Sequence, residues 1–432
     1  MDTDSAPATD RIQTRCCIAG AGPAGMMLGL LLARAGIDVV VLEKHADFLR
    51  DFRGDTIHPS TLELLHELGF LDEFLKRPHQ KAYRLSAFID DLELPVADFT
   101  RLPGHCKFLG FMPQWEFLDF LAEQARQYPG FDLRLRTEVT APLEENGRVA
   151  GVRATSPEGE LQIRAELTVA ADGRDSRLRE QAGLAVSTLG APMDVLWMRL
   201  SRKASDPDQP MARFSRGGIF VMIYRETYWQ CGYVIPKGGY GEIRERGLAA
   251  LRDQLAKLAP SMADRLGELR SWDDVKLLTV AVNRLRRWYR PGLLCIGDAA
   301  HAMSPVGGVG INLAIQDAVA AANLLARPLS QGRLTTAELR RVQQRRLLPT
   351  RLIQRAQIAI QNRIIRPVIA REGRPLAPSW PLRLLRRFPR LRALPARMIG
   401  LGLRPEHIES ADIFVGKEAS RKRDQGMSAP RF

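Results

Sequence analysis

The sequence predicts an α/β fold: a doubly wound dinucleotide-binding domain, a β-rich domain inserted into it, and a helical C-terminal region. Three observations carry that expectation. Residues 15–45, RCCIAGAGPAGMMLGLLLARAGIDVVVLEKH, read as strand, glycine turn, apolar helix and second strand. A second strand-to-helix junction, at Asp172-Gly173, closes a set of alternating strands. A third, CIGDAAHAMSPVGGVGINLAIQDA from residue 295 to 318, opens another apolar helix.

The turn of the first junction fits GxGxxG at Gly20, Gly22 and Gly25. The first glycine permits the tight turn, the second admits a pyrophosphate to the backbone, and the third lets helix and sheet pack closely. Ala24 lies in the same turn. Glu43 stands 18 residues after Gly25, at the end of the second strand, where a carboxylate can accept both hydroxyls of a ribose. A lone GxGxxG is weak evidence, but between a strand and a helix and followed by that acid it points to a dinucleotide.

Residues 51–69, DFRGDTIHPSTLELLHELG, form a polar loop feeding a helix with Pro59 near its start. Arg53 in that loop is either a solvated charge or, beside a dinucleotide, a neutraliser of its pyrophosphate. From Ala82 to Leu109 the pattern is β-like and irregular, and a helix resumes at MPQWEFLDFLAEQAR. Gln114 at its mouth reaches a ligand or simply caps the turn.

Residues 131–171 alternate in short β-runs separated by Asn-Gly and Pro-Glu-Gly turns, and end at Asp172-Gly173. From about 190 to 282 a second lobe follows, with the β-runs MDVLWMRL, GIFVMIY and WQCGYVIP and an amphipathic helix near 241–270. Its aromatics Phe214, Phe220, Tyr224, Tyr228, Trp229 and Tyr233 are expected mainly in the sheet core.

In the third junction, Gly307, Gly308 and Gly310 let main-chain N–H groups converge on one point. A helix starting at about Ile311, with no acid in its first turn, adds the positive end of its dipole. The stretch reads as an anion seat or, equally, as a tight loop before a surface helix.

Composition narrows the function classes. The 432 residues are 45% apolar and 26% charged, which is ordinary for a globular protein of more than one core. Five cysteines without a CxxC pair, and no histidine at metal-ligand spacing, suggest neither a disulfide frame nor a metal site. That pattern suits a reducing, cytoplasmic setting. The polar N-terminus does not read as a signal peptide, and no run approaches the length of a membrane span. The net charge of +14 resides in the C-terminal hundred residues, where 23 Lys/Arg face 7 Asp/Glu from Arg333 onward. The body therefore lacks the basic excess that nucleic-acid binding requires. Within the tail, RLIQRAQIAIQNRIIRPVIA and SWPLRLLRRFPRLRALPARMIGLGLRP mix apolar residues with arginine. They read either as a peripheral contact with the inner face of a membrane or as a helical bundle with a solvated basic face. The final residues read as disordered.

Taken together, Gly20-Ala-Gly-Pro-Ala-Gly25 with Glu43, Ala171-Asp172-Gly173 with Ser176 and Arg179, and Gly297-Asp298-Ala-Ala-His301 through Pro305 to Asn312 resemble one signature. It is that of the FAD-dependent aromatic-ring monooxygenases, the class A flavoproteins with a para-hydroxybenzoate hydroxylase-like fold, and it is similar also to ubiquinone-biosynthesis hydroxylases. The resemblance covers roughly residues 14 to 330.

The resemblance implies a Rossmann-like FAD domain in three segments (12–85, 111–185, 283–350) and a substrate domain (86–110 and 186–282). A basic helical region (351–415) and a disordered tail (416–432) complete the division. It implies that Gly20, Gly22, Ala24 and Gly25 cradle the FAD pyrophosphate, that Glu43 holds the adenosine ribose, and that Arg53 and Gln114 lie along the pyrophosphate and ribityl chain. Asp172 and Gly173 serve FAD and a passing nicotinamide cofactor, and Asp298 takes a ribityl hydroxyl. Pro305, Gly307, Gly308, Gly310, Ile311 and Asn312 surround the isoalloxazine, with His301 packing the loop.

On the same grounds NADH or NADPH reduces the flavin, O₂ adds to give a C4a-hydroperoxyflavin, and an aromatic, polyketide-like or quinone-like substrate is hydroxylated. The flavin carries the chemistry, and no side chain is singled out as catalytic. The scaffold also admits a reductase or a halogenase, which WQCGYVIP faintly suggests, or a membrane-associated flavin-binding protein without catalysis.

Overall fold

The computed structural model describes residues 10–49, 56–90, 92–207, 210–215, 218–225, 227–370 and 378–414. At its centre runs the strand Asp10–Ala19, parallel to Val39–Leu42 on one side and to Gly159–Ala170 on the other. Phe131–Arg134 extends the sheet beyond Val39–Leu42, and Leu293–Cys295 extends it beyond Gly159–Ala170, both in parallel. The period of two along a strand divides the core. Cys16, Ile18, Val39 and Val41 face one apolar layer, and Cys17, Ala19, Val40 and Leu42 face the other. A parallel sheet covered on both faces needs such continuous apolar runs, and VVVL is one.

Two helices cover the first layer. Pro23–Arg34 carries proline in its first turn and is buried from Ala24 to Ala33. Gly310–Ser330 packs beside it. The expectation that no run approaches the length of a membrane span needs correction. Val306–Ser330 is long and apolar enough, with a mean hydropathy of 1.4, but it is 72% buried as the core helix of this layer.

The meander that precedes Asp172 forms as its turns dictate. Glu138–Glu145 and Arg148–Ser156 are joined through Asn146 (φ 50°) and Gly147 (φ 73°), the pair of positive φ values of a type I′ hairpin. Arg148–Ser156 then pairs antiparallel with Gly159–Ala170.

A second, seven-stranded sheet has the order Lys276–Leu278, Met193–Ser201, Tyr228–Pro236, Gly218–Tyr224, Met211–Ser215, Arg84–Ile89, Leu92–Asp98. It is antiparallel except where Met211–Ser215 meets Arg84–Ile89. Phe220, Trp229 and Tyr233 belong to its core, whereas Phe214, Tyr224 and Tyr228 are only half-buried. Trp229, the tryptophan of the halogenase-like stretch, is fully buried and donates through Nε1 to Asp206 (2.9 Å). Leu109–Phe111, by contrast, joins a small sheet with Thr56–Ile57 and Gln80–Ala82.

Two helical expectations change. The helix near 241–270 is Tyr240–Leu258, interrupted at Gly247 (φ 88°), followed by the 3-10 segment Pro260–Glu268. Position 350 falls inside a continuous helix, Thr336–Ile360, started by a capping box of Thr335 and Glu338. The first basic stretch of the tail, residues 351–370, packs through Ile353 against Met303, Val309 and Leu313 and through Ile365 and Val368 against apolar residues of the second sheet, as a bundle helix does. The second stretch differs: Trp380 (75% exposed) and Leu384 on Trp380–Arg387, Phe388 just after it, and Leu394 (67%) and Met398 on Ala393–Gly400 face solvent. Residues 416–432, expected to be disordered, lie outside the described residues.

Candidate active site

The strand Asp10–Ala19 ends at Gly20, whose φ of 100° turns the chain while its N–H donates to Leu42 O (2.8 Å). The turn is closed by backbone contact. A Cβ at Gly25 would sit 1.9 Å from Gly20 O, and one at Gly20 would sit 2.4 Å from Ala171 O. Gly22 is different, since a Cβ there would meet nothing within 4 Å, so its missing side chain leaves open space. Gly22 also begins Pro23–Arg34, which has neither a side-chain cap nor an acid in its first turn. Its first N–H groups are left for an anion. Glu43 Oε2 accepts from Ala21 N (3.1 Å), and Oε1 accepts from His45 N (3.2 Å), so its carboxylate is pinned at the rim of the turn.

The second junction meets the first at Gly20, where Ala171 and Asp172 press on the turn. Asp172 Oδ1 is buried without a hydrogen-bond partner among the described residues. Burial pushes its carboxyl above the usual range, against opposing contacts from Ser176, Leu178 N–H and Arg179. Ser176 caps Arg177–Gln181 by accepting from Arg179 N (3.1 Å). Arg179 donates to Arg174 O (2.7 Å) and to Ala299 O (3.2 Å), tying this junction to the third. Gly173 has φ 88° and open space beside it. A depression of about 440 Å³ lined by Asp175, Ser176, Arg179 and Glu180 opens nearby.

The third junction closes the ring. A Cβ at Gly297 would lie 3.2 Å from both Ala24 Cβ and Ala314 Cβ, so the two uncapped helices meet over it. Asp298 lies 3.7 Å from Arg174 Nη2 and is about one-third exposed. Pro305 then leads into Gly307 (φ 81°) and Gly308 (φ 63°), and Gly310–Ser330 starts with no side-chain cap and no acid in its first turn. Asn312 is buried, its Oδ1 accepting from Ser60 Oγ (2.7 Å) and Thr61 Oγ1 (3.0 Å). Val306 packs on the face of the second sheet, near Ile219, Val234 and Val280.

Behind the loop lies a buried ionic cluster. Asp317 Oδ2 accepts from Gly297 N (3.1 Å) and contacts His301 Nε2 (2.5 Å), and Oδ1 accepts from Arg346 Nε (3.0 Å). Arg346 reaches on to Glu406 Oε1 (3.1 Å) and Arg404 O (3.2 Å). Burial alone would raise the Asp317 carboxyl, but His301 and Arg346 outweigh it and hold it below the usual range. His301 is 1% exposed and packs against Trp288, a structural setting.

The structure thus brings together Gly20, Gly25, Ala24, Asp172 and the Gly297-Asp298 turn, with the loop from Pro305 to Asn312 continuing from it. Gln114 is half-buried at the start of Gln114–Ala125. Arg53 lies outside the described residues. Sequence reasoning missed His58, Ser60, Thr61 and Asp317. A lone acid inside the apolar helix GINLAIQDAVAAA was a readable sign of the last.

Uncapped amino ends of two helices, the open space at Gly22 and the unpartnered Asp172 Oδ1 fit a flavin dinucleotide, and such a fold and site define a flavoprotein. The sequence profile of the FAD binding domain family matches residues 13–356, and the chain belongs to that family. It is 36% identical over 365 residues to 6-methylpretetramide 4-monooxygenase of Streptomyces rimosus, covering 83% of this chain and 86% of that one. It is 30% identical over 308 residues to dialkyldecalin synthase of Streptomyces rugosporus, covering 70% and 63%. Among solved structures, the anhydrotetracycline hydroxylase OxyS from Streptomyces rimosus superposes with a TM-score of 0.72 at 23% identity, over 91% of this chain and 77% of that one, a likeness of fold. The chain is a FAD-dependent monooxygenase.

Proposed function

We propose that this monooxygenase hydroxylates an aromatic, polyketide-type substrate and draws its electrons from NADH or NADPH. The observation that carries the proposal is the 36% identity to 6-methylpretetramide 4-monooxygenase across most of both chains. When bound, FAD supplies the redox chemistry that activates O₂ and delivers one oxygen atom. The chain's own residues bind and orient it. The first-turn amides beside Gly20, Gly22, Ala24 and Gly25 would hold the pyrophosphate, with Arg53 and Gln114 along the chain beyond it. Glu43 would take the ribose, Asp172 with Gly173 and Asp298 would hold the polyol side, and the loop Pro305, Gly307, Gly308, Gly310, Ile311, Asn312 would face the ring system.

Three features support these roles. The amides that start Gly310–Ser330 suit a ring that gains negative charge on reduction. Val306, with Trp197, Phe214 and Val221 of the second sheet, gives the neighbouring wall an apolar character suited to a fused aromatic substrate and to keeping water out. The depression beside Asp175 and Arg179 offers a nicotinamide dinucleotide a surface groove.

The test is an absorbance spectrum of the purified protein followed by anaerobic titration with NADH and NADPH. A panel of phenols, quinone precursors and fused-ring polyketides is added in turn. Bleaching of the flavin accelerated most by a fused-ring compound, with one oxygen added to that compound in air, is the expected result. Strongest acceleration by a quinone precursor would redirect the substrate assignment, and no reduction by either nicotinamide would overturn the reading.

We also propose a peripheral contact with an anionic membrane through a separate surface. Trp380, Leu384 and Phe388 recur at the spacing of one helix face and are exposed, amid seven arginines and no acid from 380 to 404. Flotation with anionic vesicles that is lost in a Trp380→Ser/Phe388→Ser variant is expected, and equal recovery of both proteins would remove the assignment.

A further inference from the structure

His58 immediately precedes the helix Pro59–Glu67 and is completely buried. Its Nδ1 lies 2.7 Å from Ile399 O and its Nε2 lies 2.9 Å from Gly308 O. Both partners are carbonyl oxygens, which only accept. A neutral imidazole has one N–H, and its other nitrogen is itself an acceptor, so both contacts are hydrogen bonds only in the imidazolium form. Each carbonyl has a reason to want the donor. Ile399 lies in the last turn of Ala393–Gly400, among the carbonyls that have no partner within the helix and sit at the negative end of its dipole. Gly308 lies in the positive-φ turn whose continuation supplies the amides at the start of Gly310–Ser330.

The next two polar residues act on the same loop, since Ser60 and Thr61 both donate to Asn312 Oδ1. One short segment, His58-Pro59-Ser60-Thr61, therefore grips the loop at Gly308 and again at Asn312. No charged neighbour among the described residues determines the state of His58. Glu63 on its own helix pairs with His105, Glu67 pairs with His407, and Arg397 on Ala393–Gly400 points to solvent. The loop residues 305–310 and the strand Leu109–Phe111 carry no ionisable side chain.

We propose that His58 is a positioning residue for the flavin, a proton-dependent clasp that, as imidazolium, fastens the C-terminal helix Ala393–Gly400 to the loop facing the ring system. The proposal rests on the reading of residues 305–312 as the flavin loop. Burial pushes the imidazole below its ordinary value while the two carbonyls push it up, and the net direction is down. The clasp is therefore complete on the acid side of that lowered value, and one of the two carbonyls loses its donor as pH rises through it. Negative charge on a ligand at the loop favours the proton, so FAD binding draws one in.

Two variants separate the two bonds. His58→Asn puts an amide N–H near the Nδ1 position, keeping the Ile399 contact, and His58→Gln puts one near Nε2, keeping the Gly308 contact. Protein labelled with ¹⁵N-histidine is titrated from pH 8 to 5 with and without FAD, the His58 signals being those absent from both variants. The FAD dissociation constant is read over the same range from the fluorescence of released flavin. In the wild type both ring nitrogens are expected to reach the imidazolium position within this range, at higher pH when FAD is present, and FAD binding tightens by about tenfold toward acid, the scale of one charge-assisted hydrogen bond. Both variants lose the pH dependence, and H58N binds FAD more weakly than H58Q.

A ring that stays neutral to pH 5 with FAD bound overturns the clasp, whatever the fate of the variants. A ring that titrates as stated, with FAD affinity in H58N following the wild type, overturns only the link to the flavin. If the variants do not fold, the wild-type shift of the most acid-displaced histidine on FAD addition decides: movement supports the clasp, and its absence overturns it.

Discussion

At the first glycine turn the chain is held by its own backbone, whereas the loop from Pro305 to Asn312 is held by side chains that arrive from far along the sequence. Gly25 and Gly20 touch main-chain atoms of their neighbours, and removing their side chains is what lets strand and helix close. Gly308 and Asn312 are fixed instead by His58, Ser60 and Thr61, and the turn behind them by Asp317. The first region is specified by backbone contact, within the turn and against Ala171, and tolerates no added atom at its packed glycines. The second depends on partners whose loss loosens it without abolishing the strand-turn-helix path. Within the first region the same motif also contains a glycine of another kind, Gly22, which meets open space.

That contrast can be tested from its strongest point downward. Gly25→Ala forces a Cβ to 1.9 Å from a backbone oxygen, which neither neighbour can vacate, so it is expected to cost more than the about 1–3 kcal/mol of ordinary overpacking. Soluble yield and urea midpoint should both collapse, and a well-folded variant would show that the turn is not backbone-locked.

Asp317→Ala comes next, since it leaves the buried Arg346 guanidinium with Glu406 as its one acid among the described residues, and Gly297 N–H and His301 Nε2 without their partner. A loss of about 3–5 kcal/mol in denaturant unfolding is expected. The Asp317 carboxyl is held below its ordinary value in the fold, so its contribution is present above the unfolded pKa of about 3.9 and fades as pH falls through the lower folded value. The wild-type stability curve should therefore drop below about pH 4, and the variant's drop should be shallower. Parallel acid limbs would remove Asp317 from the acid response.

Replacing both Ser60 by Ala and Thr61 by Val leaves Asn312 Oδ1 buried without its donors. The expected cost is about 1–3 kcal/mol, with weakened FAD retention on gel filtration. Gly22→Ala should do the reverse of Gly25→Ala. Its φ of −72° suits alanine and its space is open, so the unfolding midpoint stays within about 0.5 kcal/mol while FAD affinity falls by tenfold or more, because the new methyl group stands where the ligand approaches. A variant that binds FAD normally would mean that Gly22 does not face the cofactor. The smallest effect belongs to Trp380→Ser with Phe388→Ser. Both side chains are at least half exposed, and stability should be unchanged within about 0.5 kcal/mol.

The two regions also differ in how far they were legible in the sequence. Strand, turn and helix around Gly20–Gly25 show as a contiguous pattern because every contact that shapes them is local or backbone-made. The alternating strands before Asp172 and their Asn146-Gly147 turn are legible for the same reason. The clasp on the third loop is not, because His58 meets Gly308 and Ile399 across separations of 250 and 341 residues. No periodicity links those positions. The continuity of Thr336–Ile360 through Pro349 is of the same kind, as tertiary packing overrides what a proline suggests locally, whereas the interruption at Gly247 follows from the glycine's own positive φ. The tail shows both outcomes, with one stretch packed into the interior by Ile353, Ile365 and Val368 and the next left with an apolar face outward.

The chain of contacts from Gly297 through Asp317 and Arg346 to Glu406 has a consequence for biogenesis. A ribosome delivers Gly20 long before Glu406, and domains made from the N-terminus ordinarily fold as they emerge. Here the central strand waits for Gly159–Ala170, and the Gly297 turn waits for Arg346 and Glu406, before its acid is neutralised. The nascent protein consequently carries an unfinished binding site until Glu406 has emerged, and cofactor capture becomes an event that follows synthesis of the segment holding Arg346 and Glu406.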